Sequence, residues 1–161
     1  MDPLLILAAA LPECRLSAGE AVVREGESGS GLWILSSGAL KVVKAGTEIN
    51  TITRPGAAVG EISLLLDAPY SATVVASEPT VLRYAADGRA FLASDPRITQ
   101  LIAVGLAERL HFVTTYLADL VRQYRDASPG LAMVGEVLGQ LAHHQRPAAW
   151  PGSVREPDPD Y

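Results

Sequence analysis

From about residue 13 to residue 86 the apolar positions fall in short runs, often alternating with polar ones, and glycine, proline or serine breaks them every eight to ten residues. The runs AVVREGESGSG (21–31), LWILSSGAL (32–40), KVVKAGTEINTITRPG (41–56) and SATVVASEPTVLRYAADG (71–88) carry many β-branched and aromatic residues. Successive side chains on a strand face opposite sides, so this texture predicts the strands of an all-β sandwich or barrel. Ala45-Gly46-Thr47-Glu48 lies between two alternating runs and reads as a hairpin connection, where glycine supplies positive φ.

One segment breaks the alternation. In Gly60-Glu61-Ile62-Ser63-Leu64-Leu65-Leu66-Asp67 the apolar residues 62, 65 and 66 form a helical stripe, which predicts a short helix among the strands. A glycine just ahead of that helix lets its first backbone N–H groups point at something negative.

Helix replaces strand from Asp87 onward. A short helix starts at Asp87 or Gly88 and runs through Leu92. Ser94-Asp95-Pro96 then reads as a cap with proline in the first turn, opening a helix of about 30 residues that ends at Ser128-Pro129-Gly130. Its residues Leu106, Leu110, Val113, Leu117, Leu120 and Tyr124 are spaced 4, 3, 4, 3 and 4, a heptad seam that suits a partner helix. Taken as structure alone, the seam packs on its own domain. A second apolar face with Phe112 and Tyr116, suited to the barrel, favours a homodimer.

The remainder divides from this part. Residues 1–127 read as one domain with its long helix, and residues 128–161 as a short helix and a Pro-rich tail. The short helix spans Leu131 to His144; Pro147, Pro151, Pro157 and Pro159 forbid regular structure after it. At the other end, PLLILAAAL (3–11) has no positive charge ahead of it and falls short of the roughly 20 residues a membrane helix needs. A short N-terminal helix packing on the domain is expected, and no other stretch is expected to approach membrane length.

Composition narrows the function classes. The 161 residues are 48% hydrophobic, enough for a core, and 13 basic against 18 acidic residues give a net charge of −5. A dedicated nucleic-acid binder carries a basic face, so no direct nucleic-acid contact and no membrane partner are expected. Cys14, the single cysteine, excludes an internal disulfide and a cysteine-built zinc site and fits a reducing cytoplasm. His111, His143 and His144 all fall in helices after the strands, so no metal set converges inside the barrel. With no Ser-His-Asp set, triphosphate loop or dinucleotide fingerprint, catalysis is not expected.

An ordered set of motifs then acquires meaning. Gly19-Glu20, Arg24-Glu25-Gly26-Glu27 and Leu32-Trp33-Ile34-Leu35-Ser36-Ser37-Gly38 are followed by Pro55-Gly56-Ala57-Ala58-Val59-Gly60-Glu61-Ile62-Ser63-Leu64-Leu65 and Pro69-Tyr70-Ser71-Ala72-Thr73-Val74. This order resembles the cyclic-nucleotide-binding domain family of catabolite activators, kinase regulatory subunits and gated channels, over about residues 4–125. The resemblance implies a mainly β fold: an eight-stranded, jelly-roll-like β-roll with a short N-terminal helix, a phosphate-cassette helix between strands six and seven, and a long C-terminal dimerisation helix. It implies cyclic AMP or cyclic GMP as ligand and no cofactor. In its pattern Gly60 lets the backbone approach the ligand, and Glu61 accepts from the ribose 2′-hydroxyl. Ile62 and Ser63 offer N–H groups to the cyclic phosphate. Ser71 and Ala72 close that site from the next strand, and Val113 and Thr114 fall where some members contact the base. Residue chemistry agrees, since free N–H groups suit a phosphodiester monoanion and a carboxylate suits a hydroxyl donor.

Two departures shape the expectation. The family pattern has arginine where this chain has Tyr70, and losing a bidentate charged contact costs roughly 3 kcal/mol, about a hundredfold in affinity. Tyr70 offers one neutral donor or a ring face instead; Arg54 and Arg83 are the other cations in the roll, with a surface position the plainer reading of each. Residues 128–161 are also too few for the helix-turn-helix domain of the family's transcription factors. Two readings stay open: a sensor of a cyclic nucleotide or related small anion that signals through its dimer helix to a protein partner, and a degenerate domain kept as a protein-interaction module.

Overall fold

The structure, a computed structural model, describes residues 2–124, and the chain divides into two units between Leu106 and Ala107. In the first, α1 (Pro3–Leu7) leads into β1 (Glu13–Leu16), β2 (Ala21–Val23), β3 (Leu32–Ser37), β4 (Leu40–Lys44), β5 (Thr47–Ile52) and β6 (Ala58–Val59). Then come α2 (Glu61–Leu66), β7 (Thr73–Ala76), β8 (Thr80–Ala85), α3 (Gly88–Ser94) and the start of α4 (Pro96–Tyr124), which continues into the second unit. The eight strands form two four-stranded antiparallel sheets, in the orders β1-β8-β3-β6 and β2-β7-β4-β5. The helix expected at residues 60–67 lies between β6 and β7, as the resemblance implies.

Strand alternation separates two apolar cores. Leu32 and Ile34 of β3 join Leu4, Ala8, Leu64, Ala85, Leu92, Ile98 and Ile102, so one face of the first sheet carries the helices. Leu35 and Trp33, on the other face of β3, meet Val23, Leu40, Val59, Tyr70, Val74, Ala76 and Leu82 between the sheets. Both faces of β3 are therefore covered, which explains why its sequence is nearly continuous in apolar residues.

Local signals place the element ends. Asp2 caps α1, its carboxylate accepting from the Leu4 N–H at 2.9 Å, and Pro3 occupies the first turn, where its missing N–H costs nothing. Helix stops at Leu7, short of the whole apolar run to Leu11. Asp95 accepts from the Arg97 N–H at 2.8 Å ahead of α4, as the Ser-Asp-Pro signal predicts. The β4–β5 hairpin is tighter than its four-residue motif suggests: Thr47 and Glu48 already pair with Lys44 and Val43. Only Ala45 (φ 48°) and Gly46 (φ 77°) make the turn, and two successive positive φ angles match the strand twist.

In the second unit, residues 107–124 are described as helix. Leu110 and Val113 are exposed, as are Phe112 and Tyr116, which the sequence suggested would find apolar neighbours; Leu117 and Leu120 are half-buried. Tyr124 ends the described helix. The helix expected at Leu131–His144 and the Pro-rich segment lie outside the described residues.

One expectation is corrected. Pro96–Arg122, at 27 residues, is long and apolar enough to cross a membrane by length and composition, where none beyond the N-terminal run was expected to come near that length. The cause is that one helix carries both a core stripe and a seam. Ile98 and Ile102 at its start are nearly fully buried in the core with Leu32 and Ile34.

Candidate functional site

The short helix α2 is built to be presented at a chosen angle. Gly60 precedes it with φ 93°, a conformation that costs an L-residue roughly 1–2 kcal/mol. A Cβ on Gly60 would also lie 2.9 Å from the Gly31 carbonyl oxygen and 3.3 Å from the Trp33 ring. Close approach and backbone sign both demand glycine here. The first intrahelical bond runs from the Leu64 N–H to the Gly60 carbonyl at 3.0 Å, so the Ile62 and Ser63 N–H groups lie ahead of it with no intrahelical acceptor. Leu64 anchors the helix in the outer core, and Asp67, again left-handed (φ 54°), ends it.

Three expected site residues lie in the first turn of this helix, with a division of labour. Glu61 is 2% exposed, a carboxylate placed inside the fold at the head of α2. Ser63 is buried too, but its hydroxyl donates to the Pro69 carbonyl at 3.2 Å and so fastens α2 to the following segment. Ile62 has its side chain partly exposed, which leaves only its backbone for the expected role.

The segment Pro69–Ala72 is clamped from two sides. Tyr70 pairs through its main chain with the β2–β3 loop: its N–H donates to Glu27 and its carbonyl accepts from Gly26, both at 2.9 Å. Lys44, at the end of β4, donates from Nζ to the Ser71 carbonyl at 2.8 Å. Glu25 completes the junction, donating its N–H to Thr73 Oγ1 and accepting from the Ala45 N–H, each at 2.9 Å. The Ser71 side chain is exposed and Ala72 half-buried beside it.

Tyr70 points inward. Its ring is buried among the inner-core residues and meets Trp33 edge-on, while Trp33 stacks on Tyr84 with centroids 5.0 Å apart. The Tyr70 hydroxyl occupies the space a side chain on Gly29 would need. Burial, with lesser contributions from Tyr84 and Glu27, pushes the phenol above its ordinary range, so it is a neutral donor at physiological pH.

Some expected participants are engaged elsewhere. Arg83 turns to the outside, pairing with Glu13 at 3.1 Å and donating to the Leu11 carbonyl at 3.0 Å. Thr114, in the second unit, donates its hydroxyl back to the carbonyls of Leu110 (2.8 Å) and His111 (3.0 Å). Arg54 is exposed. The sequence reading overlooked Lys44 and the Trp33–Tyr84 stack. Lys44 is exposed at the end of β4. Among the described residues no group of three or more His, Cys, Asp or Glu side chains is gathered as a metal would require.

Known proteins share this arrangement. A model of the cyclic nucleotide-binding domain matches residues 13–93, just over half the chain. A cAMP-dependent protein kinase regulatory subunit of Yarrowia lipolytica is 39% identical over 72 residues, 45% of this chain and 19% of the relative. A cGMP-dependent protein kinase of Eimeria tenella is 48% identical over 63 residues, 39% of this chain and 6% of the relative. The chain thus spans a fifth or less of the length of these relatives. Among solved structures, the catabolite activator protein of Thermus thermophilus superposes with a TM-score of 0.62 at 21% identity, covering 89% of this chain and 86% of its own, which establishes the common fold. The match over residues 13–93, on a β-roll with α2 inserted between β6 and β7, shows that the chain belongs to the cyclic nucleotide-binding domain family.

Proposed function

We propose that the chain is a non-catalytic regulatory module, cytoplasmic, that binds a cyclic nucleotide or related small anion in the β-roll. In this reading Glu61 accepts from the ribose 2′-hydroxyl, Gly60 lets the backbone come close, and the Ile62 and Ser63 N–H groups receive the cyclic phosphate. Ser71 and Ala72 close the far side. The observation that carries the reading is the buried Glu61 carboxylate at the head of α2, beside a glycine that tolerates no side chain. Occupancy is read out through α4, whose Leu106, Leu110, Val113, Leu117, Leu120 and Tyr124 seam pairs with a second copy, and so reaches a protein partner. Ligand moves that equilibrium only as far as it prefers one arrangement over the other.

A second reading has support of its own. The Tyr70 ring lies within the inner core and its main chain is bonded to Gly26 and Glu27, as in a domain that has closed its pocket and serves as an interaction module. Calorimetric titration with cyclic AMP and cyclic GMP separates the two. Saturable binding at micromolar concentration supports the sensor; silence up to millimolar concentration leaves the interaction module.

A further inference from the structure

The loop that joins β2 to β3 carries glycine at 26, 29 and 31, and the three serve different ends. Gly26 has a left-handed backbone (φ 82°), whereas Gly29 and Gly31 do not, so at these two it is space that excludes a side chain. A Cβ on Gly29 would collide with the Tyr70 hydroxyl. One on Gly31 would lie 2.8 Å from the Trp33 ring and 2.9 Å from the Tyr84 ring. The loop therefore lies against the edges of three aromatic side chains, and Tyr70 among them is buried and braced by Trp33.

The far end of the loop is fitted as closely to the helices. The Ser30 carbonyl accepts from the Gly88 N–H at 2.8 Å, and the Ser30 hydroxyl donates to the Ala86 carbonyl at 3.2 Å. Gly88 opens α3, and a Cβ there would lie 2.9 Å from the same Ser30 oxygen and 2.6 Å from the Leu64 side chain of α2. The next carbonyl, that of Gly31, would be 2.9 Å from a Cβ on Gly60. Two consecutive carbonyls thus seat the residue ahead of α2 and the first residue of α3. At the near end Gly26 and Glu27 are bonded to the Tyr70 main chain, and only Ser28 and Gly29 separate these bonds from Ser30.

We infer that residues 26–31 form a strap coupling position 70 to the heads of α2 and α3, so that a displacement at either end is carried to the other. Groups packed without free volume pass a shift on instead of absorbing it, and the strap is one element that both places engage. The coupling is reciprocal. Whatever presses on Tyr70 shifts the start of α3, and a protein that grips α3 alters the setting of Tyr70 by the same free energy. The strap goes beyond both readings above and serves each of them. In a sensor the ligand works it from position 70; in an interaction module the partner works it from α3.

Nuclear magnetic resonance on the isotope-labelled full chain supplies the test, without any ligand. The scalar coupling across the Gly88–Ser30 hydrogen bond and the Gly88 amide-proton resonance both report the length of that bond. Gly29→Ala sets a methyl group against the Tyr70 hydroxyl, and the strap must yield because the buried ring cannot. The Gly88 proton is expected to move upfield and its coupling to fall by roughly half. Adding Tyr70→Phe removes the hydroxyl and should bring both signals back to wild type. The Ser77 amide, bonded to the Ala39 carbonyl, should keep its place in every variant. Should Gly29→Ala not fold, Ser30→Ala decides from the other end: it gives up the bond to Ala86, and the Tyr70 amide resonance must then move. The inference is wrong if a folded Gly29→Ala keeps the wild-type Gly88 signals, if Tyr70→Phe does not restore them, or if Ser30→Ala leaves the Tyr70 amide where it was.

Discussion

The rings of Tyr70 and Trp33 meet edge to face, with centroids 6.3 Å apart and planes inclined at 62°. The contact sets one residue of the candidate ligand segment against the inner wall of the roll. Such a pair contributes about 0.5–1.5 kcal/mol beyond the area it buries. Position 70 therefore has a structural occupation as well as its place in the proposed site, and exchanging it tests both.

Tyr70→Arg separates the two occupations. The guanidinium should raise affinity for cyclic AMP or cyclic GMP by about two orders of magnitude, the worth of a bidentate charged contact. Without ligand the variant should be less stable by about 2 kcal/mol, because a charged group replaces a packed ring. Calorimetry and thermal unfolding with and without nucleotide measure the pair. An unchanged affinity would mean that the segment does not face the phosphate.

Tyr70→Phe isolates the phenol. Its pKa is raised in the folded chain by burial, so the folded state keeps its proton after the unfolded chain has lost one. The stabilising contribution is whole below the unfolded value, near 10, and drains away as pH climbs through the folded value. Urea unfolding from pH 8 to pH 11 should show wild type losing more stability than Tyr70→Phe. Below about pH 9 their difference should not change with pH.

Gly60→Ala tests the presentation of α2. Left-handed backbone and a Cβ 2.9 Å from the Gly31 oxygen act together, and the expected loss is about 2–4 kcal/mol. The equivalent change at Gly46, which has open space around its own Cβ position, should cost only the backbone part, about 1–2 kcal/mol. Denaturant midpoints of the two variants give the comparison.

Leu110→Glu together with Val113→Glu addresses the seam. Both side chains are exposed in the single chain, 55% and 48%, so the change should not unfold the protomer. If α4 pairs with a second copy, sedimentation should report a dimer for wild type and a monomer for the variant. A monomeric wild type would remove the dimer helix from the proposal.

The roll was legible because its signals are local. The short apolar and β-branched runs at 32–35 and 73–76, turn glycine at 46 and the helical stripe at 62–66 each act over a few residues, and the strands and α2 formed where those signals lie. The candidate site was legible only in part. Gly60, Glu61 and Ser63 are neighbours in sequence, and they are neighbours in the fold. The direction of the Tyr70 ring and the reach of Lys44 depend instead on how β4, β7 and the β2–β3 loop come together, which no short window contains. The apolar length of Pro96–Arg122 escaped notice for a similar reason, since periodicity divides that helix into faces and conceals its total.

The paired main-chain bonds between Tyr70 and the Gly26–Glu27 stretch bind two distant pieces of chain into one opening unit. To expose either amide to deuterium, both bonds must break together, so Gly26 and Tyr70 should exchange with equal free energies of opening. A compound that loosens one piece will be felt at once in the other.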